Sequence, residues 1–187
     1  GAVAMQVAAQ APHRVAGLVL VNSAGFGREV NLGLRLLAVR PLGRLLLRPS
    51  RAGARRVERS LFHDPSFATA TRVEHAWRLA RRPHAARVLL ETVRGLGTFG
   101  GTRPEWRERL VRAVAELGVP VLAVWGDRDR ILPARHLDAV AAGIPHARTH
   151  LFAATGHMPQ IERAEDFGSL VAGFLTETRG RGAGGGD

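Results

Sequence analysis

Three short apolar runs, each preceded by a stretch of helical periodicity, fix the architecture open to this 187-residue chain. Residues 17–23, 119–126 and 149–153 are β-branched or leucine-rich, apolar on both faces, and bounded by breakers. Strands of that kind are buried on both sides, as in a parallel sheet covered by helices. The stretches 3–10, 104–117 and 133–142 read as the helices that precede them. This alternation predicts βαβ units with right-handed crossovers, and so the α/β class with about three parallel strands.

The segment between the first two strands differs in kind. Residues 31–98 hold Leu, Ala and Arg at helical spacing, interrupted at Pro41, Pro49, Pro65 and Pro83, with no convincing strand. They predict a group of short helices inserted into the α/β frame. The expected division is a core of residues 1–30 and 100–178, a helical lid of 31–99, and a disordered glycine-rich tail of 179–187. The chain opens on Gly1 and enters a helix interior at once, without a leader or a capping side chain. A truncation is the expectation for such a start. No run of eighteen apolar residues occurs, so no membrane span is expected.

The formal charge of +11 raises nucleic acid or an acidic surface as a partner. All 27 basic residues are Arg, however, and they recur at helical spacing, as in Arg51, Arg55, Arg59 and Arg107, Arg109, Arg112. That pattern predicts solvated helix faces rather than a nucleic-acid footprint. The absence of cysteine excludes a disulfide framework and a thiolate nucleophile, with a reducing cytoplasm as the default compartment.

In an open parallel sheet, reactive groups collect on loops at the carboxyl ends of the strands. The loop after residues 119–126 offers Asp127 and Asp129; the loop after 149–153 offers His157, between Gly156 and Met158. A general-base histidine needs its far nitrogen held by a carboxylate. The 28 residues from Asp129 to His157 suffice for a loop, a helix and a strand that return the chain to the same sheet edge. Taken singly, either aspartate reads as a surface ion pair and His157 as a loop histidine. His13, His63, His75, His84, His136, His146 and His150 read as structural or surface residues.

The conjunction carries more. The run Pro120-Val-Leu-Ala-Val-Trp-Gly-Asp-Arg-Asp-Arg-Ile-Leu-Pro133, followed by Ala153-Ala-Thr-Gly-His-Met-Pro-Gln-Ile-Glu-Arg-Ala-Glu-Asp-Phe167, resembles the acid and histidine motifs of the α/β-hydrolase fold superfamily. The resemblance implies Asp129 as the acid and His157 as the base. Glu162, Phe167 and Phe174 match positions that pack and cap the last helix. Residues 1–25 resemble the segment that follows the nucleophile elbow, G-x-S-x-G, with Gly1 as the last glycine. The nucleophile is then expected upstream of Gly1, because Ser23, Ser50, Ser60, Ser66 and Ser169 all lack an elbow.

The helical middle takes the place of the lid, and Phe26, Leu132 and Met158 are the expected pocket walls. A serine nucleophile implies ester, thioester, amide or carbon-carbon bond hydrolysis, or acyl transfer, on a small-molecule substrate. An aspartate implies dehalogenation or epoxide opening. No metal or cofactor is implied, nor nucleic acid or membrane as a partner. A non-catalytic basic binding module is the reading from another class. The 187 residues alone are expected to be inactive and aggregation-prone, since residues 18–21 would form an apolar sheet edge.

Overall fold

The computed structural model describes residues 1–183. The strands among them are β1 (Leu18–Val21), β2 (Gly97–Thr98), β3 (Gly101–Thr102), β4 (Val121–Gly126) and β5 (Arg148–Phe152). Strands β1, β4 and β5 form a parallel sheet in that order, with Leu18 opposite Val121 and Trp125 opposite Leu151. Each is entered from a helix: α1 (Ala2–Gln10) before β1, and further along the chain α7 (Pro104–Leu117) before β4 and α8 (His136–Gly143) before β5.

The central strand explains the sheet. Every residue of β4 is buried, because alternate side chains serve two cores. Val121, Ala123 and Trp125 join Met5, Ala8, Leu110, Val114 and Val140 of the helices on one face. Leu122 and Val124 join Phe152 and Phe174 on the other. Phe174 belongs to α10 (Ala164–Ala183), which follows the short α9 (Pro159–Glu162).

Local chemistry marks the helix ends. Pro104 opens α7, where a missing N–H costs nothing, with Glu105 in the first turn; Gly118 closes it at φ 63°, a conformation that penalises a side chain.

The strand at residues 149–153 departs from expectation. β5 is offset by one residue and is mostly exposed, with Phe152 as its buried side chain and Leu151 half exposed. It lies at the sheet's edge among the described residues, where a partner on one side suffices.

The inserted segment is helical as read: α2 (Leu32–Ala38), α3 (Arg40–Leu46), α4 (Arg51–Leu61), α5 (Ala70–Ala80) and α6 (Ala85–Leu96). Asn31, Ser50 and Thr69 accept backbone N–H bonds at the starts of α2, α4 and α5. Pro41 sits in the first turn of α3, and Pro65 in that of a single 3₁₀ turn. The small antiparallel hairpin β2–β3 was not expected; two residues per strand carry no periodicity to read.

At the chain's end, α10 runs to Ala183, so the first part of the tail expected to be disordered is helical backbone. Residues 184–187 lie outside the described residues. No helix among the described residues is long and apolar enough to cross a membrane.

Candidate active site

Beyond Gly126 the chain turns sharply, with the Asp129 N–H donating to the Gly126 carbonyl at 3.2 Å. This drives the Asp129 side chain inward until it is fully buried. Burial of a carboxylate is costly unless N–H groups replace water. Oδ1 accepts from the backbone of Ile131 at 2.7 Å and Leu132 at 3.1 Å; Oδ2 accepts from Asn22 Nδ2 at 2.5 Å. The remaining partner of Oδ2 is His157 Nδ1 at 2.8 Å. An ionised carboxylate can only accept, so Nδ1 carries a proton toward Asp129, and in the neutral imidazole that leaves the lone pair on Nε2.

Asp127 is occupied otherwise. Its Oδ1 accepts the Thr155 N–H at 3.2 Å and its Oδ2 lies 3.4 Å from Arg128. Two further bonds, Asp127 N–H to Phe152 O and Arg128 N–H to Thr155 O, clamp the acid loop to the histidine loop.

The histidine loop is held from the lid as well. The His157 N–H donates to Leu61 O at 2.7 Å. Glu162 accepts from Gly156 N–H at 2.6 Å through Oε1, and from His63 and Asp64 N–H at 2.8 and 3.1 Å through Oε2. A side chain at Gly156 would strike the backbone of Leu61 and His63, at 2.7 and 2.6 Å. The helical insertion, the last helices and the His157 loop thus meet at one carboxylate.

Two contributors escaped the sequence reading. Asn22 stands at φ 42°, left-handed geometry that asparagine tolerates; it donates to Asp129 and also to Gly156 O at 3.3 Å. That left-handed tolerance at a strand end was the available signal. Glu162 was read as a packing and capping position, and its bridge to the lid has no sequence signature.

His157 forms part of the wall of a cavity of about 320 Å³ whose other lining includes Asn22, Val30, Leu34, Leu96 and Trp106. Of the three expected walls, Leu132 lines this cavity while Phe26 and Met158 do not. The chain swings at Gly25, φ 129°, and turns Phe26 into the core below. Met158 caps α9, with its sulfur 3.6 Å from Gln160 Nε2.

A buried histidine sits nearby without a place in this constellation. His136 is almost fully buried, edge-on to Trp125, with Nε2 3.2 Å from Glu29 and no hydrogen bond at Nδ1 among the described residues. Loss of hydration pushes its pKa below 6.5, against the pull of Glu29. Glu29 is lowered to about 2 by its own backbone N–H first and by Arg135 next.

Below pH 6.5 the unfolded chain therefore binds a proton that folded His136 refuses, and stability is lost as pH falls through that region. The Glu29 contribution is present above 4.5 and fades toward 2; half exposed, it is small. Urea midpoints for His136→Gln are expected to vary less between about pH 5 and 7 than those of the parent. An unchanged pH slope would exclude His136 as the source.

Comparison with known proteins identifies the family. The family model described as alpha/beta hydrolase fold matches residues 1–164. The dihydrolipoyllysine-residue acetyltransferase component of the acetoin cleaving system of Cupriavidus necator is 36% identical over 175 residues, which cover 94% of this chain and 43% of that protein. The 2-hydroxy-6-oxo-6-phenylhexa-2,4-dienoate hydrolase of Comamonas testosteroni is 25% identical, with 95% of this chain and 60% of the relative covered.

Among solved structures, a meta-cleavage product hydrolase of Pseudomonas fluorescens superposes with a TM-score of 0.73 at 22% identity, over 94% of this chain and 61% of that one. The chain thus spans between two fifths and about three fifths of the length of the relatives it matches. With its parallel sheet, its helical insertion and a family match over most of its length, the chain belongs to the α/β-hydrolase fold family.

Proposed function

We propose that Asp129 and His157 are the acid and base of a Ser-Asp-His triad that hydrolyses an ester, thioester or carbon-carbon bond, with the nucleophile supplied from outside these 187 residues. One observation carries the reading: His157 Nδ1 lies 2.8 Å from a fully buried carboxylate, on a histidine that opens into an apolar cavity. The carboxylate fixes the tautomer and stabilises the imidazolium that forms when Nε2 takes a proton. In the reaction, a serine oxygen attacks the carbonyl carbon as its proton passes to Nε2. The same proton then leaves with the departing group, and a water deprotonated by His157 releases the acid.

Placement supports a nucleophile from elsewhere. None of the serines at 23, 50, 60, 66 and 169 lines the cavity. Gly1, at the start of α1, lies so close to Ser23 that any side chain on it would collide there. Ser23 follows Asn22, which touches Asp129, so the beginning of α1 is packed into the same corner as the acid. That close approach is what the last glycine of an elbow provides. The relatives named as an acetyltransferase component and as a dienoate hydrolase are consistent with acyl chemistry at such a site.

The test is to express the protein together with an in-frame segment upstream of Gly1 that carries the elbow, and to mix it with 4-nitrophenyl acetate. A burst of nitrophenol equal to the enzyme concentration, with an acetyl adduct on the elbow serine, is expected. An elbow bearing aspartate would move the chemistry to dehalogenation or epoxide opening. Folded protein with a serine elbow and no adduct would defeat the proposal.

A further inference from the structure

A second concavity lies on the lid side of the same site. It is an open cleft of about 660 Å³ whose lining includes Arg51, Arg55, Arg56 and Arg59 of α4 and Arg130 of the acid loop. Arg130 directly follows Asp129, and α4 ends at Leu61, whose carbonyl holds the His157 N–H. Cleft and acid–base pair therefore share both chain segments.

The charges in the cleft are largely uncompensated. Arg51 pairs with Glu74 at 3.2 Å and stacks 3.9 Å over Trp77. Among the described residues, Arg55, Arg56, Arg59 and Arg130 make no ion pair. Glu58, the acid of α4, makes no ion pair among the described residues; burial pushes its carboxyl up, with Arg72 and His75 of α5 pulling the other way.

Local energetics disfavour this layout. Helix α4 has no acid in its first turn, and Arg51, Arg55 and Arg59 repel at successive i, i+4 spacings. A sequence that keeps such conflicts on one wall of a cleft, and adds Arg130 from about seventy residues away, has the pattern of a ligand site. Several convergent guanidinium groups exceed what one carboxylate can neutralise and suit phosphate oxygens, which they bind in bidentate pairs. The neighbouring cavity is apolar in character, with no arginine in its lining.

We propose that the arginine cleft holds a phosphate-bearing leaving group, so that the substrate is an acyl ester or thioester with an apolar acyl part in the cavity and a phosphorylated alcohol or thiol outside. This rests on the hydrolase reading above.

Calorimetric titration of the protein with inorganic pyrophosphate tests the cleft without needing turnover. Saturable binding is expected, weakened about tenfold or more by Arg59→Gln with Arg130→Gln, the loss expected from at least one charge-assisted hydrogen bond. Arg107→Gln with Arg112→Gln, on α7, is the control and should bind as the parent does. No binding, or equal weakening by both pairs, overturns the proposal. So does a single-stranded oligonucleotide that binds more tightly and is weakened equally by both pairs, since that is general attraction to a basic chain.

In the elbow-bearing enzyme, pyrophosphate should inhibit hydrolysis of a phosphate-bearing acyl thioester competitively and leave 4-nitrophenyl acetate unaffected. Inhibition of both would assign the cleft to a free phosphate effector and refute the leaving-group role. Turnover without site-specific pyrophosphate binding removes the cleft alone. Site-specific binding without turnover counts against the triad.

Discussion

In the elbow-bearing enzyme, His157→Ala is expected to lower kcat for an activated ester by about 10⁴- to 10⁶-fold, with KM little changed. On the proposed mechanism His157 meets the reacting groups only through a proton, so its removal abolishes transfer from the nucleophile and leaves the other residues of the cavity wall in place. Asp129→Asn should cost about 10⁴-fold for a different reason. An amide has a single oxygen, and Ile131 and Leu132 N–H already claim one acceptor. Its NH₂ would then face two donors, Asn22 Nδ2 and His157 Nδ1, which drives the imidazole proton to Nε2 and removes the base. Asp127→Asn, in contrast, touches Thr155 N–H and Arg128, neither of them in the cavity wall. Steady-state kinetics on the three variants decide the matter: more than a tenth of parental kcat in His157→Ala would remove it from the mechanism.

The ease with which the frame is read from the sequence follows from β4. A strand buried on both faces must be a continuous apolar run, and Val121–Gly126 could be little else. The acid and histidine loops are legible for the same reason, since each starts where an apolar run stops at a glycine or a turn. Asn22 is a counterexample. It falls inside the run 17–23 with nothing to single it out, and only the register that sets Val21 opposite Val124 brings it alongside the Asp129 loop. Phe26 followed a sound rule, that residues beyond a strand end line the pocket, yet one left-handed glycine reversed its direction. Arg55 and Arg59 read as solvated, because one-dimensional spacing cannot show that charges from separate segments, Arg130 among them, surround one cleft.

Glu162 shows most clearly what lies outside the sequence, and Glu162→Ala is expected to lower stability by about 2–4 kcal/mol. The carboxylate serves three backbone N–H groups from two parts of the chain. Water can replace it at Asp64, where the bond is exposed; at Gly156 and His63 the bonds are partly buried, and orphaned donors there carry the penalty. For a chain of this length such a loss lowers Tm by about 5–15 °C. Activity should fall too, since Gly156 adjoins His157 and about 1 Å of displacement of a catalytic base costs on the order of 100-fold.

The two effects can be separated. Glu162→Gln keeps one acceptor and should recover part of Tm, whereas its NH₂ would confront either the Gly156 or the His63 N–H. Amide hydrogen exchange then reports which junction opened: faster exchange at His63 means that the lid has come away from the base, and at Gly156 that the histidine loop itself has loosened. Unchanged Tm together with unchanged exchange in Glu162→Ala would show that the Leu61 carbonyl on the His157 N–H, at 2.7 Å, holds the lid to the base without help.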